Sequence, residues 1–204
     1  PTGAMSAVEP GFLVKAQLQV AQKRGIARAA AAMARPGSAV AISAGTTTYE
    51  VARELRAVPD LTIVTNSMLI AQVLQDGAEV GQSLILTGGS RTPSDALVGP
   101  VAVESLRGLH VDLLFLGVHG MTLGAGLTTP NLVEAATNRA LVAAAARTVV
   151  TADHSKWGVV GLSSFGRLEE VECLVTDAAL APEVIERIRG VGCQVVVTDP
   201  VEES

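Results

Sequence analysis

"SAVAISAGTTTYEVAREL", Ser38 to Leu55, changes character halfway along. Val40 to Ser43 reads as an apolar strand, Ala44-Gly45 interrupts it, three threonines follow, and Thr48 to Leu55 carries a helical pattern. A strand that passes through a glycine turn into a helix is the repeating unit of an α/β protein. The same succession recurs along the chain. Leu61 to Thr65, Ser83 to Thr87, Leu113 to Gly117, Thr148 to Ala152, Cys173 to Thr176 and Gln194 to Thr198 read as further strands. Ser67 to Gln75, Val101 to Leu106, Leu132 to Ala146 and Pro182 to Arg189 read as helices between them. Runs such as "LTIVT" and "DLLFLG" are apolar at nearly every position and do not alternate, as strands do when helices cover both faces of a sheet. The expected fold is an open, mostly parallel α/β sheet of the Rossmann-like kind. Upstream of it, Phe12 to Arg35 is rich in Ala, Leu, Gln, Lys and Arg, which predicts one long helix with Gly25 as its weak interior point and Arg35-Pro36-Gly37 as its end.

The 204 residues fit one domain able to bury a core of its own, and with three Phe, one Tyr and one Trp that core is built from Ala, Val, Leu and Ile. Scarce aromatics and a formal charge of -5 both argue against nucleic-acid binding by this chain itself. Cys173 and Cys193 each lie inside a strand-like run without a partner motif, which predicts buried reduced thiols in a cytoplasmic protein. His110, His119 and His154 have no metal-ligand spacing, no cofactor motif stands out, and no apolar run reaches the roughly 20 residues that span a bilayer. "PTGAMS", Pro1 to Ser6, reads as foreign residues joined to native sequence. We therefore expect 1–8 to be junction, 9–204 to be one domain, and a natural segment to precede it.

In open parallel sheets ligands bind beyond the carboxyl ends of the strands, and the unusual residues here collect at those ends. "SAGTTT" follows the first strand, "TNS" (Thr65 to Ser67) the second, "TGGSR" (Thr87 to Arg91) the third, "GVHGM" (Gly117 to Met121) the fourth and "ADHSKWG" (Ala152 to Gly158) the fifth. Five such clusters in succession describe a pocket. Thr47 followed by Glu50 fits a capping box, so the helix should start near Thr48 with its amides facing that pocket. Gly45 admits a close ligand, the helix dipole favours an anion, and the hydroxyls of Thr46, Thr47 and Thr48 add donors, all of which suit a phosphate. Alternatively the threonines serve only the helix. The spacing is neither a P-loop nor GxGxxG, which disfavours a nucleoside triphosphate or a dinucleotide.

Other residues divide in the same way. Lys156 is either a mobile cation for the anion or a solvated surface lysine, and Arg91, after Gly88 and Gly89, has the same two readings. Asn66 and Ser67 either contact ligand or cap the second helix. Thr128 and Thr129 either line the pocket or precede a helix that Pro130 helps to start. Glu134 and Arg139, on that helix, are expected on a solvated face.

With these residues in place the sequence resembles the effector-binding domain of DeoR-type bacterial transcriptional regulators, from about Glu9 to Asp199. The resemblance rests on the order of "AQKRGIARAAA", "SAGTTTYEVAREL", "LTIVTNS", "LILTGGSRTPSDALVGPVA", "DLLFLGVHGM", "GLTTPNLVEAATNRAL" and "TADHSKWG". It implies a fold like that of ribose-5-phosphate isomerases, a phosphorylated sugar or related metabolite as effector, and an N-terminal winged helix-turn-helix, absent here, that reads DNA. It makes Gly45, Thr46, Thr47 and Thr48 the phosphate loop, puts Lys156 in the pocket, and brings Lys23 to the same phosphate from the first helix. The chain departs from the family pattern at Ser43-Ala44-Gly45-Thr46, where Asp-Ser-Gly-Thr is common. It departs again at Gly117-Val118-His119-Gly120, where Gly-x-Asp-Gly is common, and at Asn138, where lysine is usual. These departures spare the phosphate loop and bear on the choice of sugar.

Two functions fit such a pocket. A sensor binds without chemistry, with residues such as Arg91, His119 and Asp153 reading hydroxyls beyond the phosphate. An aldose–ketose isomerase needs a base, usually a carboxylate, and between Asp112 and Glu134 the chain has no Asp or Glu. The sensor is therefore the expected function, working without a cofactor as part of a homo-oligomer in which the Ala-rich first helix packs on a neighbour. An oligomerisation module would leave the pocket clusters idle.

Overall fold

The computed structural model describes residues 4–5, 11–76 and 81–202. The junction read at 1–8 lies outside the described residues except for Ala4–Met5, which pairs in parallel with Val159–Val160. Seven strands form one parallel sheet: β1 (Ala39–Ile42), β2 (Thr62–Thr65), β3 (Ser83–Leu86), β4 (Leu113–Leu116), β5 (Thr148–Thr151), β6 (Cys173–Asp177) and β7 (Gln194–Thr198). Their spatial order is β7-β6-β5-β4-β1-β2-β3. The chain winds outward from β1 through β2 to β3, then returns to β4 on the other side of β1 and winds away again. The switch point of the topology therefore lies between β1 and β4, where the loops after the two strands diverge and leave a crevice.

The inner strands are nearly all apolar because their alternate side chains enter two different cores, whereas the edge strand β3 leaves Ile85 and Leu86 exposed. Val40, Ile42, Ile63, Leu113, Phe115, Val149 and Val175 point to one face, against Ile26, Ala27 and Ala30 of α2 (Val20–Ala31), Val51 and Leu55 of α3 (Thr46–Leu55), and Ile70 and Leu74 of α4 (Met68–Gln75). Ala41, Leu114, Leu116, Val150 and Leu174 point to the other, against Leu106 of α5 (Pro100–Leu106), Ala135 and Leu141 of α6 (Leu132–Ala144), and Ile185 and Ile188 of α7 (Pro182–Arg189). A small antiparallel sheet of Gly120–Thr122, Gly126–Thr129 and Ser163–Gly166 sits beyond the carboxyl end of β4.

The first helix is the main correction to the sequence reading. Instead of one helix from Phe12 to Arg35 there are two, α1 (Phe12–Ala16) and α2, separated at Gln17–Gln19 with Gln19 in the left-handed region at φ 52°. The cause lies six residues downstream. Lys23 is buried, and its ammonium donates to the carbonyls of Lys15, at 2.5 Å, and Leu18, at 2.6 Å. In a continuous helix those carbonyls would be occupied by the backbone. Gly25 is also no weak point. A Cβ there would lie 2.1 Å from the carbonyl oxygen of Asp199, because the strand that follows α7 runs on across α2 and Val201 donates to the Ala21 carbonyl. At its carboxyl end α6 stops at Ala144, two residues early, since Ala146 donates to the Val111 carbonyl instead.

Candidate functional site

The loop after β1 is held open from both sides. Asn66, at the end of β2, accepts from the Ala44 amide at 2.8 Å and donates to the Leu97 carbonyl at 3.1 Å. Ser43 accepts from the Gly117 amide at 2.9 Å, tying this loop to the one after β4. Gly45 then turns the chain into α3, which starts at Thr46, two residues before the expected position. The capping box is not formed. Gly45 is the residue at the cap, no side chain caps the helix, and Thr48 turns its hydroxyl back to the Gly45 carbonyl at 3.1 Å. The first helical bond runs from the Tyr49 amide to Gly45, so the amides of Thr46, Thr47 and Thr48 stand ahead of the ladder, at the positive end of a ten-residue helix. A Cβ on Gly45 would come within 2.9 Å of the Thr48 hydroxyl.

These amides border a tight pocket of about 40 Å³ at the switch point, lined by Lys15, Gly45, Thr46, Thr47, His119, Glu134, Thr151 and Lys156 with the backbone of Ala44, Gly117 and Val118. Lys156 is presented by a short turn, His154–Lys156, whose start Asp153 caps by accepting from the Ser155 amide and hydroxyl. That turn is fixed to the sheet by Asp177, buried at the end of β6, which accepts from the His154 amide at 2.7 Å and faces His154 Nδ1 at 2.9 Å. Beneath the lysines lies Lys23. Burial lowers its pKa to about 8, partly offset by the charges of Asp153 and Glu50 and reinforced by those of Lys156 and Lys15. Thr151 closes the floor. It is 1% exposed, and its hydroxyl has no hydrogen-bond partner among the described residues.

Of the residues singled out from sequence, the pocket brings together Gly45, Thr46, Thr47, His119 and Lys156. Lys23 supports it from one layer below, through the carbonyl of Lys15. Thr48, Asn66 and Asp153 hold its loops by the bonds just described. Ser67 caps α4, accepting from the Ile70 amide. Gly88 and Gly89 take positive φ in the turn after β3, and a Cβ on Gly89 would meet the Val98 carbonyl at 2.6 Å. Arg91 is exposed and paired with Asp95, away from the pocket. Gly120 packs under Val159, and Thr128 donates to the Gly120 carbonyl while accepting from Gly161, so both build the small sheet. Glu134, expected on a solvated face, instead lines the pocket, whereas Arg139 is exposed and donates to the Ser164 carbonyl. Lys15, Thr151 and Asp177 were not legible as site residues. Lys15 lies on a helix whose break sequence did not show, and Thr151 ends an apolar strand like any other.

A helix amino terminus, two lysines and a buried hydroxyl stand together at the switch point of a parallel α/β sheet. Comparison with known proteins gives the family. Residues 18–178 match the DeoR C terminal sensor domain, and the chain belongs to that family of transcriptional regulators. It is 35% identical over 191 residues to a putative aga operon transcriptional repressor of Escherichia coli O157:H7, covering 93% of this chain and 70% of that one. It is 39% identical over 175 residues to the HTH-type transcriptional regulator GlpR of Haloferax volcanii, covering 85% and 68%. With the HTH-type transcriptional repressor GlcR of Bacillus subtilis it shares 31% over 182 residues, covering 89% and 69%. Among solved structures, ribose 5-phosphate isomerase A of Methanocaldococcus jannaschii superposes with a TM-score of 0.48 at 16% identity, covering 66% of this chain and 53% of that one. The chain thus spans about half the length of that isomerase. Among the described residues no helix is long and apolar enough to cross a membrane, and no three His, Cys, Asp or Glu side chains stand together as a metal site.

Proposed function

We propose that this sensor domain binds a phosphorylated sugar or a related phosphorylated metabolite, and that occupancy changes how a helix-turn-helix elsewhere in the full-length regulator engages DNA in the cytoplasm. The observation that carries the reading is the convergence on one small pocket of the α3 amides, Lys15, Lys156 and the buried hydroxyl of Thr151, which has no partner among the described residues. A phosphate offers this set of donors an acceptor with several oxygens and two negative charges. Glu134 and His119 border the same space and suit the hydroxyls of the remainder of the ligand. A ligand shifts the regulator only by binding one arrangement of it better than another. Several DNA-reading heads on one body require self-association, for which symmetric packing is the usual solution, and Leu13, Val14 and Leu18 of the α1 region are exposed to serve it.

The test is a thermal-shift screen of the chain against sugars, their phosphates and polyol phosphates. A ligand at ~100 times its dissociation constant stabilises by about 2.7 kcal/mol, so a true effector stands out. The expected hit is a phosphate ester whose unphosphorylated counterpart gives no shift; equal shifts from both would dismiss the phosphate reading. One observation favours a second reading, an aldose–ketose isomerase. The loop from Leu113 to Val133 has no carboxylate, yet the fold brings Glu134 and His119 to the pocket. Sustained turnover of ribose 5-phosphate, abolished in both Glu134→Gln and His119→Ala, would establish that enzyme in place of the sensor.

A further inference from the structure

Lysine is scarce in this chain. Its 204 residues hold three lysines against twelve arginines, and all three lysines stand at the pocket, two lining it and Lys23 one layer below. The choice matters because a guanidinium keeps its charge in any surroundings, whereas an ammonium taken out of water gives up its proton more readily. Lys23 is the buried one of the three, 3% exposed, and its ammonium donates to the neutral carbonyls of Lys15 and Leu18. Four charges act on it. Asp153, which caps the turn after β5, and Glu50 of α3 favour its protonated form, while Lys156 of that turn and Lys15 of α1 oppose it. Burial is the largest influence and holds its pKa at about 8.

Resting on the phosphate reading, we infer that Lys23 couples the site to protons, so that the domain takes up a proton at Lys23 as it takes up its anion. Lys23 does not touch the anion; each binding event favours the other through charge. The anion sits against Lys156 and the α3 amides, in the pocket to which Lys23 is joined through the Lys15 carbonyl. Its negative charge there offsets the cost of keeping an ammonium buried. A unit charge about 10 Å away across an effective dielectric of about 20 changes an equilibrium constant roughly tenfold. The coupling is reciprocal, so protonation of Lys23 raises anion affinity by the factor by which the anion raises proton affinity. The anion lifts the Lys23 pKa above its ligand-free value, so the extra affinity is complete below that value and is lost as pH rises through it. An arginine in its place would hold its charge throughout and bind the anion without taking up a proton.

Nuclear magnetic resonance of the chain labelled with carbon-13 at lysine Cε tests this, since three lysines give three signals, and Lys15→Arg and Lys156→Arg identify two of them. The spectra are followed from pH 6.5 to 10, with and without inorganic phosphate at a saturation set by calorimetry, and sodium chloride holds the ionic strength equal. Without phosphate the Lys23 signal of the parent titrates near pH 8, and with phosphate its midpoint moves to higher pH. Calorimetry adds the reciprocal measurement. Phosphate affinity of the parent falls from pH 7.5 to 9.5 by roughly tenfold more than that of Lys23→Arg. His119 and Glu134 also line the pocket, and Lys23→Arg leaves both in place, so any pH dependence of theirs is common to the two chains. If phosphate binds while the Lys23 midpoint stays where it was, the inference is overturned and the phosphate reading stands. The same holds if Lys23→Arg loses affinity with pH as the parent does. Should Lys23→Arg fail to fold, the titration of the parent alone decides. If phosphate binds the parent at no pH in this range, both are overturned.

Discussion

Replacing Thr151 by Val should raise stability and lower affinity at the same time. The Thr151 hydroxyl is buried at the end of β5 with no partner among the described residues, and it borders the pocket. A buried polar group left without a hydrogen bond costs about 1–3 kcal/mol, and valine puts a methyl of nearly the same shape in its place. For a chain of this size 1 kcal/mol moves the melting temperature by roughly 2–4 °C, so the ligand-free variant should melt about 2 to 12 °C higher. With ligand the sign reverses. If the hydroxyl donates to a phosphate oxygen, its loss removes a bond to a charged group worth about 1.5–3 kcal/mol, a 10- to 150-fold weaker dissociation constant. Thr176 provides the control, being equally buried and also without a hydroxyl partner among the described residues, on the neighbouring strand but outside the pocket. Thr176→Val should stabilise similarly and leave affinity unchanged. Melting curves without ligand and calorimetry with the strongest hit of the thermal-shift screen give both quantities. If Thr151→Val stabilises but binds like the parent, the hydroxyl is not part of the site. If it destabilises, the premise of an unsatisfied group is wrong.

Three further outcomes are expected. Lys156→Ala should weaken binding of the phosphate ester about 10- to 150-fold by calorimetry, and Thr46→Val by less because the loop amides remain; parent-like affinity in both variants would refute the phosphate loop. Gly25→Ala, which improves helix propensity by about 1 kcal/mol, should nonetheless destabilise by up to about 2 kcal/mol because its methyl meets Asp199 and Thr198, and a variant that melts higher than the parent would contradict that packing. Lys23 has a folded pKa of about 8 against an ordinary 10.5, so between those values the unfolded chain holds a proton that the folded chain has released, and this group's contribution to stability rises with pH across that window and is lost as pH falls through 8. Burial pushes the Cys193 thiol up to about 11 and acts in the opposite direction, so the quantity to measure by denaturant titration is the parent minus Lys23→Met; a difference that stays flat from pH 7.5 to 10 would refute the assignment.

The fold was legible because the information that specifies it is local. All seven strands of the parallel sheet fall within a residue or so of their expected bounds; for the inner strands this is because alternate side chains that feed two cores make an uninterrupted apolar run, and runs are visible in sequence. The helix from Phe12 to Arg35 failed for the converse reason. Gln17, Leu18 and Gln19 are all acceptable in a helix, and what breaks it there is one buried ammonium in need of acceptors, that of Lys23, six positions after Gln17. Propensity cannot register a demand of that kind. Gly25 misled in the same way: it looked like a defect in a helix, whereas the crossing of the chain at Asp199, 174 positions away, leaves no space for a side chain.

The site was legible only to the extent that chemistry and position coincide. Gly45, Thr46, Thr47 and Lys156 could be read because glycine, hydroxyl and lysine at the carboxyl end of a strand point to the same place that a parallel sheet reserves for ligands. Sequence treats the five strand ends as equivalent, but the topology does not. Only the ends of β1 and β4 flank the switch point, so the clusters after β2 and β3 became supports: Asn66 holds Ala44, Ser67 caps α4, and Gly88 and Gly89 shape a turn. The same argument locates what was missed. The crevice between diverging loops is completed by whatever crosses over it, here Lys15 from α1 and Glu134 from the first turn of α6. Elements that cross a site from other layers contribute through the tertiary packing that places them. A carboxylate absent from the loop can therefore still border the pocket, and this is why the isomerase alternative must be tested at Glu134 and not only at His119.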